Sequence, residues 1–177
     1  MYPFIRMIKE MTLASRAAPL PLMGVHETHH MIMPWDLDMW MELNNGRTLT
    51  IYDLGRIPLA QRAGLVTALR KNRWGLTMAG ASVMYRKRVR MFDRVTVKSR
   101  ALGWDDKFIY LEQSMWKGEA CTSHILYRSA VTDRNGIVPP PRVLAAVGQA
   151  DTASPPLPDW VTGWIEADRH RPWPPVM

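Results

Sequence analysis

The residue types able to do chemistry are concentrated in one short run. In Asp36-Leu37-Asp38-Met39-Trp40-Met41-Glu42-Leu43-Asn44-Asn45, three carboxylates and two carboxamides precede a segment of helical spacing. Asp and Asn commonly accept hydrogen bonds from the free N–H groups of a helix start, so the helix is predicted to begin near Asn45 or Gly46. The loop then holds acid side chains near the positive end of a helix dipole, with unpaired backbone donors close by. A carboxylate so placed can act as general base on water or attack a thioester directly, and needs no metal for either. Helix-start N–H groups can bind the oxyanion that develops. The chemistry suggested is attack on an activated carbonyl. The same residue types also serve as caps and turn formers, and spacing alone leaves both readings open.

Other constellations are missing or ill placed. No G-x-S-x-G elbow, P-loop, G-x-G-x-x-G or H-E-x-x-H occurs. Cys121 and His124 fall in one predicted strand, where a spacing of three sends them to opposite faces, so they cannot pair as thiolate and base. A packed, inert thiol is expected. His26, His29 and His30 suggest a metal cluster, but in a strand His29 and His30 face opposite ways. His26 and His30 then lie about 13 Å apart, so no metal site is expected.

Several elements must position the loop. Val25 to Met33 reads as a first strand leading into it. After Gly46, Leu49, Tyr52, Leu59 and Leu65 supply an apolar stripe, which Pro58 should kink or divide and Gly64 interrupts. A second helical piece runs to about Lys71. Sheet signals follow: Ala79 to Arg90 alternates, with Met84, Arg86, Arg88 and Arg90 on one face. Met91-Phe92-Asp93 turns the chain into a strand containing Val95, Val97, Ser99 and Ala101. A turn at Gly103-Trp104-Asp105-Asp106 precedes Lys107–Trp116, and Lys117-Gly118 leads into Glu119–Val131, closed by Asp133-Arg134-Asn135-Gly136. Four long strands in a meander would need the long helix as cover. Pro139-Pro140-Pro141 ends the regular part. A last helix, Asp159–Arg169, carries Trp160, Trp164 and Ile165 on one edge that should dock on the body or a neighbouring subunit.

Composition bounds the rest. The 177 residues suit one folded domain, divided here into an N-terminal amphipathic helix and linker (1–24), a main domain (25–148), and a Pro-rich linker with a C-terminal helix (149–177). One cysteine excludes an internal disulfide framework and fits a reducing, cytoplasmic setting. No apolar run is long enough to span a membrane, and the N-terminal stretch lacks the uninterrupted apolar core of a secretory signal. The net charge of +7 is uneven: residues 70–100 hold ten Lys or Arg against Asp93 alone. Such a patch attracts phosphorylated cofactors as readily as nucleic acid, or is simply a solvated sheet face. Without a known module or interleaved aromatics, no nucleic-acid partner is expected.

The loop D-L-D-M-W-M-E-L-N-N-G-R, with Asp53 and Arg56 in the helix after it, resembles the signature of hotdog-fold thioesterases of the 4-hydroxybenzoyl-CoA thioesterase-like class. The similarity continues through YRKRVRMFDRVTVKSRALGWDDKFIYLEQ to Ile137-Val138-Pro139-Pro140-Pro141, covering roughly Tyr2 to Gly148. The resemblance implies an α+β hotdog fold, an antiparallel sheet wrapped around a central helix, with short N- and C-terminal helices. It also implies a homodimer, possibly a homotetramer, and substrates that are acyl-CoA or acyl-carrier-protein thioesters, with coenzyme A only as part of the substrate. On that likeness Asp38 is the base or nucleophile, and the backbone at Asn45 and Gly46 polarises the carbonyl. Glu42 stands where the subgroup usually has His. It can orient water, take over as base, or raise a neighbouring pKa by repulsion. That exchange argues against a dehydratase and leaves a non-catalytic acyl or lipid-ligand binder as the competing class. Arg86, Arg88 and Arg90 are the candidates for coenzyme A phosphates.

Overall fold

The computed structural model of the chain describes residues 2–21 and 23–175; residues 1, 22, 176 and 177, within the two flanking stretches drawn above, lie outside the described residues. Its centre is helix α2, Asn45–Arg62. The start is set by Asn44, whose side-chain oxygen accepts from the N–H groups of Gly46 (2.9 Å) and Arg47 (3.2 Å). From there one face meets the sheet, burying Thr48, Ile51, Tyr52, Leu54 and Leu59. Leu49, expected in this stripe, is exposed, because the 3.6-residue period is registered on Thr48 one position earlier. Contact is closest at Gly55, where an added Cβ would lie 2.6 Å from Ser99 Oγ and 3.0 Å from Val97 Cγ1. Gln113 Nε2 ties the two layers by donating to Tyr52 O and Ser99 Oγ.

Pro58 does not divide α2, which runs through it. The break falls at Gly64, in the left-handed region at φ 79°, where glycine carries no Cβ penalty. Helix α3, Leu65–Asn72, follows. Helix α1, Phe4–Arg16, packs along α2.

Six strands form one sheet: β1 (His26–Met31), β2 (Gly75–Tyr85), β3 (Arg94–Trp104), β4 (Ile109–Lys117), β5 (Ala120–Asp133) and β6 (Gly136–Val138). Their order is β1-β3-β4-β5-β2, all antiparallel, with β6 on β5. The expected four-strand meander is therefore a three-strand one, and β2 lies at the far edge beside β5. Alternation decides which face a side chain takes, not which strand its backbone pairs. The expected strand to Arg90 stops at Tyr85, because the N–H groups of Arg86 and Lys87 both reach one acceptor, Thr122 O, which ends the ladder. Leu43 N–H then donates to Val89 O, and Glu42 bridges Arg90. The basic run thus pairs with the acidic loop, and Arg86, Arg88 and Arg90 share no regular strand face.

Smaller differences have local causes. β1 is shorter than Val25–Met33 but alternates as expected, with His26, Thr28 and His30 buried between exposed Glu27, His29 and Met31. β3 runs on to Trp104, and β4 starts at Ile109 because Asp105 Oδ1 accepts from the N–H groups of Lys107 and Phe108 and holds the turn there. After β6 the three prolines start helix α4, Pro140–Ala146, rather than ending regular structure. A first-turn proline has no intrahelical hydrogen bond to lose. Helix α5, Asp159–Arg169, docks on the outer sheet face: Val161 is buried with Leu102, Tyr110 and Leu126, and Arg128 pairs with Asp168 at 2.7 Å.

Candidate active site

The acidic loop is built as a small hairpin in front of α2. Asp38 N–H donates to Glu42 O at 2.8 Å, Leu37 bridges Leu43, and Met41 takes a left-handed conformation at φ 58°. Its two aspartates do different work. Asp36, 1% exposed, accepts from Met33 N–H (3.0 Å) and pairs with Arg6 of α1 (2.9 Å) and Arg47 of α2 (3.4 Å). Its backbone carbonyl also receives Asn44 N–H. Asp36 therefore bolts the loop to both helices. Asp38 is half-buried, and its Oδ1 accepts from the N–H groups of Trp40 (2.9 Å) and Glu42 (3.4 Å), leaving Oδ2 with no donor among the described residues.

A surface cavity of about 200 Å³ opens where this hairpin, the first turn of α2 and the chain leaving β2 converge. Glu42, Asn45 and Thr48 line one side; Tyr85, Arg86, Lys87 and Arg88 line the other. Glu42 Oε1 lies 3.1 Å from Arg88 Nε across the mouth. Tyr52 OH meets Ser123 Oγ at 2.8 Å in the layer beneath, and burial pushes that phenol's pKa up. Burial likewise raises Tyr85, whose OH reaches Asn45 O at 3.4 Å. Both phenols thus stay protonated and neutral. The arrangement offers a carboxylate, a helix start and a cationic wall around one space.

Of the residues picked out by sequence, Glu42, Asn45, Arg86 and Arg88 meet at this cavity. Asp38, Gly46 and Arg90 are not among its lining. The Gly46 N–H is taken by Asn44 Oδ1, and the Arg90 N–H by Asp93 Oδ2. Cys121 and His124 stay apart: the thiol contacts Ser123 O, with its pKa raised by burial, while His124 Nε2 meets Glu112 at 2.8 Å. Among the described residues no group of three or more His, Cys, Asp or Glu is placed to hold a metal. Tyr85, Thr48 and Arg6 were not picked out; Arg6 lies 30 positions before Asp36 and carries no local pattern pointing to it. An apolar cavity of about 50 Å³, lined by Leu59, Leu111 and Val143 among others, lies between the end of α2, the sheet and α4.

A sheet curled around one capped helix, with a polar loop at the helix start, is the hotdog fold of thioesterases. Residues 32–165 match the thioesterase-like superfamily, and the chain belongs to that superfamily. Protein THEM6 of Xenopus laevis is 28% identical over 158 residues, covering 87% of this chain and 74% of that one. Its Drosophila melanogaster namesake is 34% identical over 79 residues, 44% of this chain and 41% of the relative. Among solved structures, the probable thioesterase YbaW of Escherichia coli superposes with a TM-score of 0.65 at 14% identity, covering 72% of this chain and 99% of that one. A 1,4-dihydroxy-2-naphthoyl-CoA thioesterase from Synechocystis gives 0.60 at 12% identity, covering 73% and 99%. These two share the fold.

Proposed function

We propose that the chain hydrolyses an acyl thioester, of coenzyme A or a carrier protein, in the cavity at the start of α2. The observation that carries this is the convergence of Glu42, Asn45 and the Arg86–Arg88 wall on one space. The Asn45 N–H, at the first helical position, polarises the thioester carbonyl. Water attacks the carbonyl carbon, its proton passes to the carboxylate of Glu42 or Asp38, and the thiolate leaves and takes a proton. Arg86 and Arg88 receive the phosphates of the leaving group. The alternative in which the carboxylate itself attacks gives an anhydride that water then opens.

The working unit is a homodimer joined through β2. That strand is exposed along most of its length and leaves one row of backbone N–H and C=O groups unpaired, a template for a second copy. Tyr85, at its end, lines the cavity, so a partner strand would close the site's open side. One specific observation favours a non-catalytic acyl-ligand binder instead: Asp38 Oδ1 and the Gly46 N–H are both already engaged within the loop.

Turnover of a panel of aromatic and aliphatic acyl-CoAs separates the two. Hydrolysis of at least one, reduced about 100-fold by Glu42→Gln, supports the catalytic reading. Saturable acyl-CoA binding without turnover would assign the chain to the binder class.

A further inference from the structure

We propose that the face formed by α1 and its neighbours rests on an anionic lipid surface. In a helix lying on a domain, the outward side should be polar. Here α1 turns Phe4 (65% exposed), Ile5 (86%), Ile8 (65%) and Leu13 (51%) outward. The inward side is already used: Ala14 and Glu10 are buried, and Arg6 is held by Asp36. The exposed side chains are therefore surplus to the fold.

Two further observations select the occupant. Across a groove of about 810 Å³ from Phe4 and Ile5 stand Met31 and Trp35, the latter 64% exposed. Tryptophan beside aliphatic side chains suits the boundary between water and lipid, where an apolar ring and a polar N–H are both satisfied. The exposed charges on α1 are positive, although Lys9 Nζ also lies 3.1 Å from the buried Glu10 carboxylate. Lys9 and Arg16 are the charged residues exposed on α1, whose single acid, Glu10, is only 5% exposed. Arg70 of α3 lines a cleft shared with Ile8 and Thr12, and Lys71 and Arg73 follow it exposed. A face that mixes large exposed apolar groups with cations complements acyl chains below negative headgroups. A protein partner would need its own acidic counterpart.

The 13-residue helix spans about 20 Å, enough for several lipid contacts along one side. The position also suits an amphiphilic ligand, since the same helix holds the acidic loop through Arg6 and Asp36. Lipid binding does not depend on the proposed hydrolysis, so each can fail alone.

The test is flotation of the full chain with vesicles of phosphatidylcholine, with and without about one-third phosphatidylglycerol. Binding is expected to the anionic vesicles, weakening as salt rises. Ile5→Ser with Ile8→Ser should lower it roughly 10- to 100-fold. Lys9→Glu with Arg16→Glu should remove the preference for anionic lipid. All four positions are exposed, and an unchanged melting temperature checks that the variants fold. No binding to either vesicle, or binding indifferent to both variants, overturns the proposal. So does a smaller sedimentation coefficient of the lipid-free Ile5→Ser, Ile8→Ser chain, which would identify the occupant as a second copy.

Discussion

Two aspartates stand two residues apart in one loop and are built for opposite purposes. Asp36 is sealed under α1 between Arg6 and Arg47, with its remaining oxygen valence spent on Met33 N–H. Asp38 sits at the tip, half-buried, holding its own turn through a single oxygen. The base of the loop is anchored to both helices, while the tip keeps its shape through its own turn. Identical side chains differ here through burial and partners alone.

Removing the anchor should have the largest effect. Asp36→Ala leaves two arginines without their shared carboxylate and should cost about 3–5 kcal/mol in urea unfolding. A cost near that of a surface substitution would erase the contrast.

The anchor region should also respond to pH. Burial, together with the nearby Lys9 and Arg6 cations, holds the His30 pKa down at about 4. The unfolded imidazole titrates near 6.5, so between those values the unfolded chain binds more protons and stability falls as pH falls. His30 should contribute up to roughly 3 kcal/mol above pH 6.5, lost by about pH 4. The His30→Gln chain, unfolded at a series of pH values, should show a flatter profile across that window.

At the tip, effects on stability should be small. Asn at position 38 retains an oxygen that can accept from Trp40 and Glu42, so Asp38→Asn should change unfolding free energy by under about 1 kcal/mol. Smallest of all, Arg88→Ala breaks an ion pair whose arginine is mostly exposed, worth about 0.5 kcal/mol or less. Its consequence should appear instead as a raised KM for coenzyme A thioesters, in steady-state kinetics.

The helix start and the alternation of β1 and β3 were legible in sequence because each depends on residues within one or two turns or strands. The docking of α5 was legible only in part, since Val161 is its buried residue and Trp160 is exposed. Partner choice was not. Nothing in Val83-Met84-Tyr85-Arg86 states that the ladder will end when Thr122 O captures two N–H groups, nor that β2 will pair β5 rather than β3. The same limit applies to the site. The crowding of acids in the loop was visible, but which aspartate is buried depends on Arg6, far away in the chain, and on Arg47 one turn into the helix. Pro58, expected to kink or divide the segment, does not divide α2.

The most direct measurement is acyl-CoA turnover by the wild-type chain beside Asp38→Asn, at matched melting temperature. If Asp38, outside the cavity lining, is the base or nucleophile, the substitution should lower kcat about 100-fold with the fold intact. If Glu42, which lines the cavity, is the base, Asp38→Asn should leave kcat unchanged and Glu42→Gln should lower it instead. An unchanged kcat would remove Asp38 from the reaction, and no turnover of any acyl thioester by the wild-type chain would contradict the thioesterase reading itself.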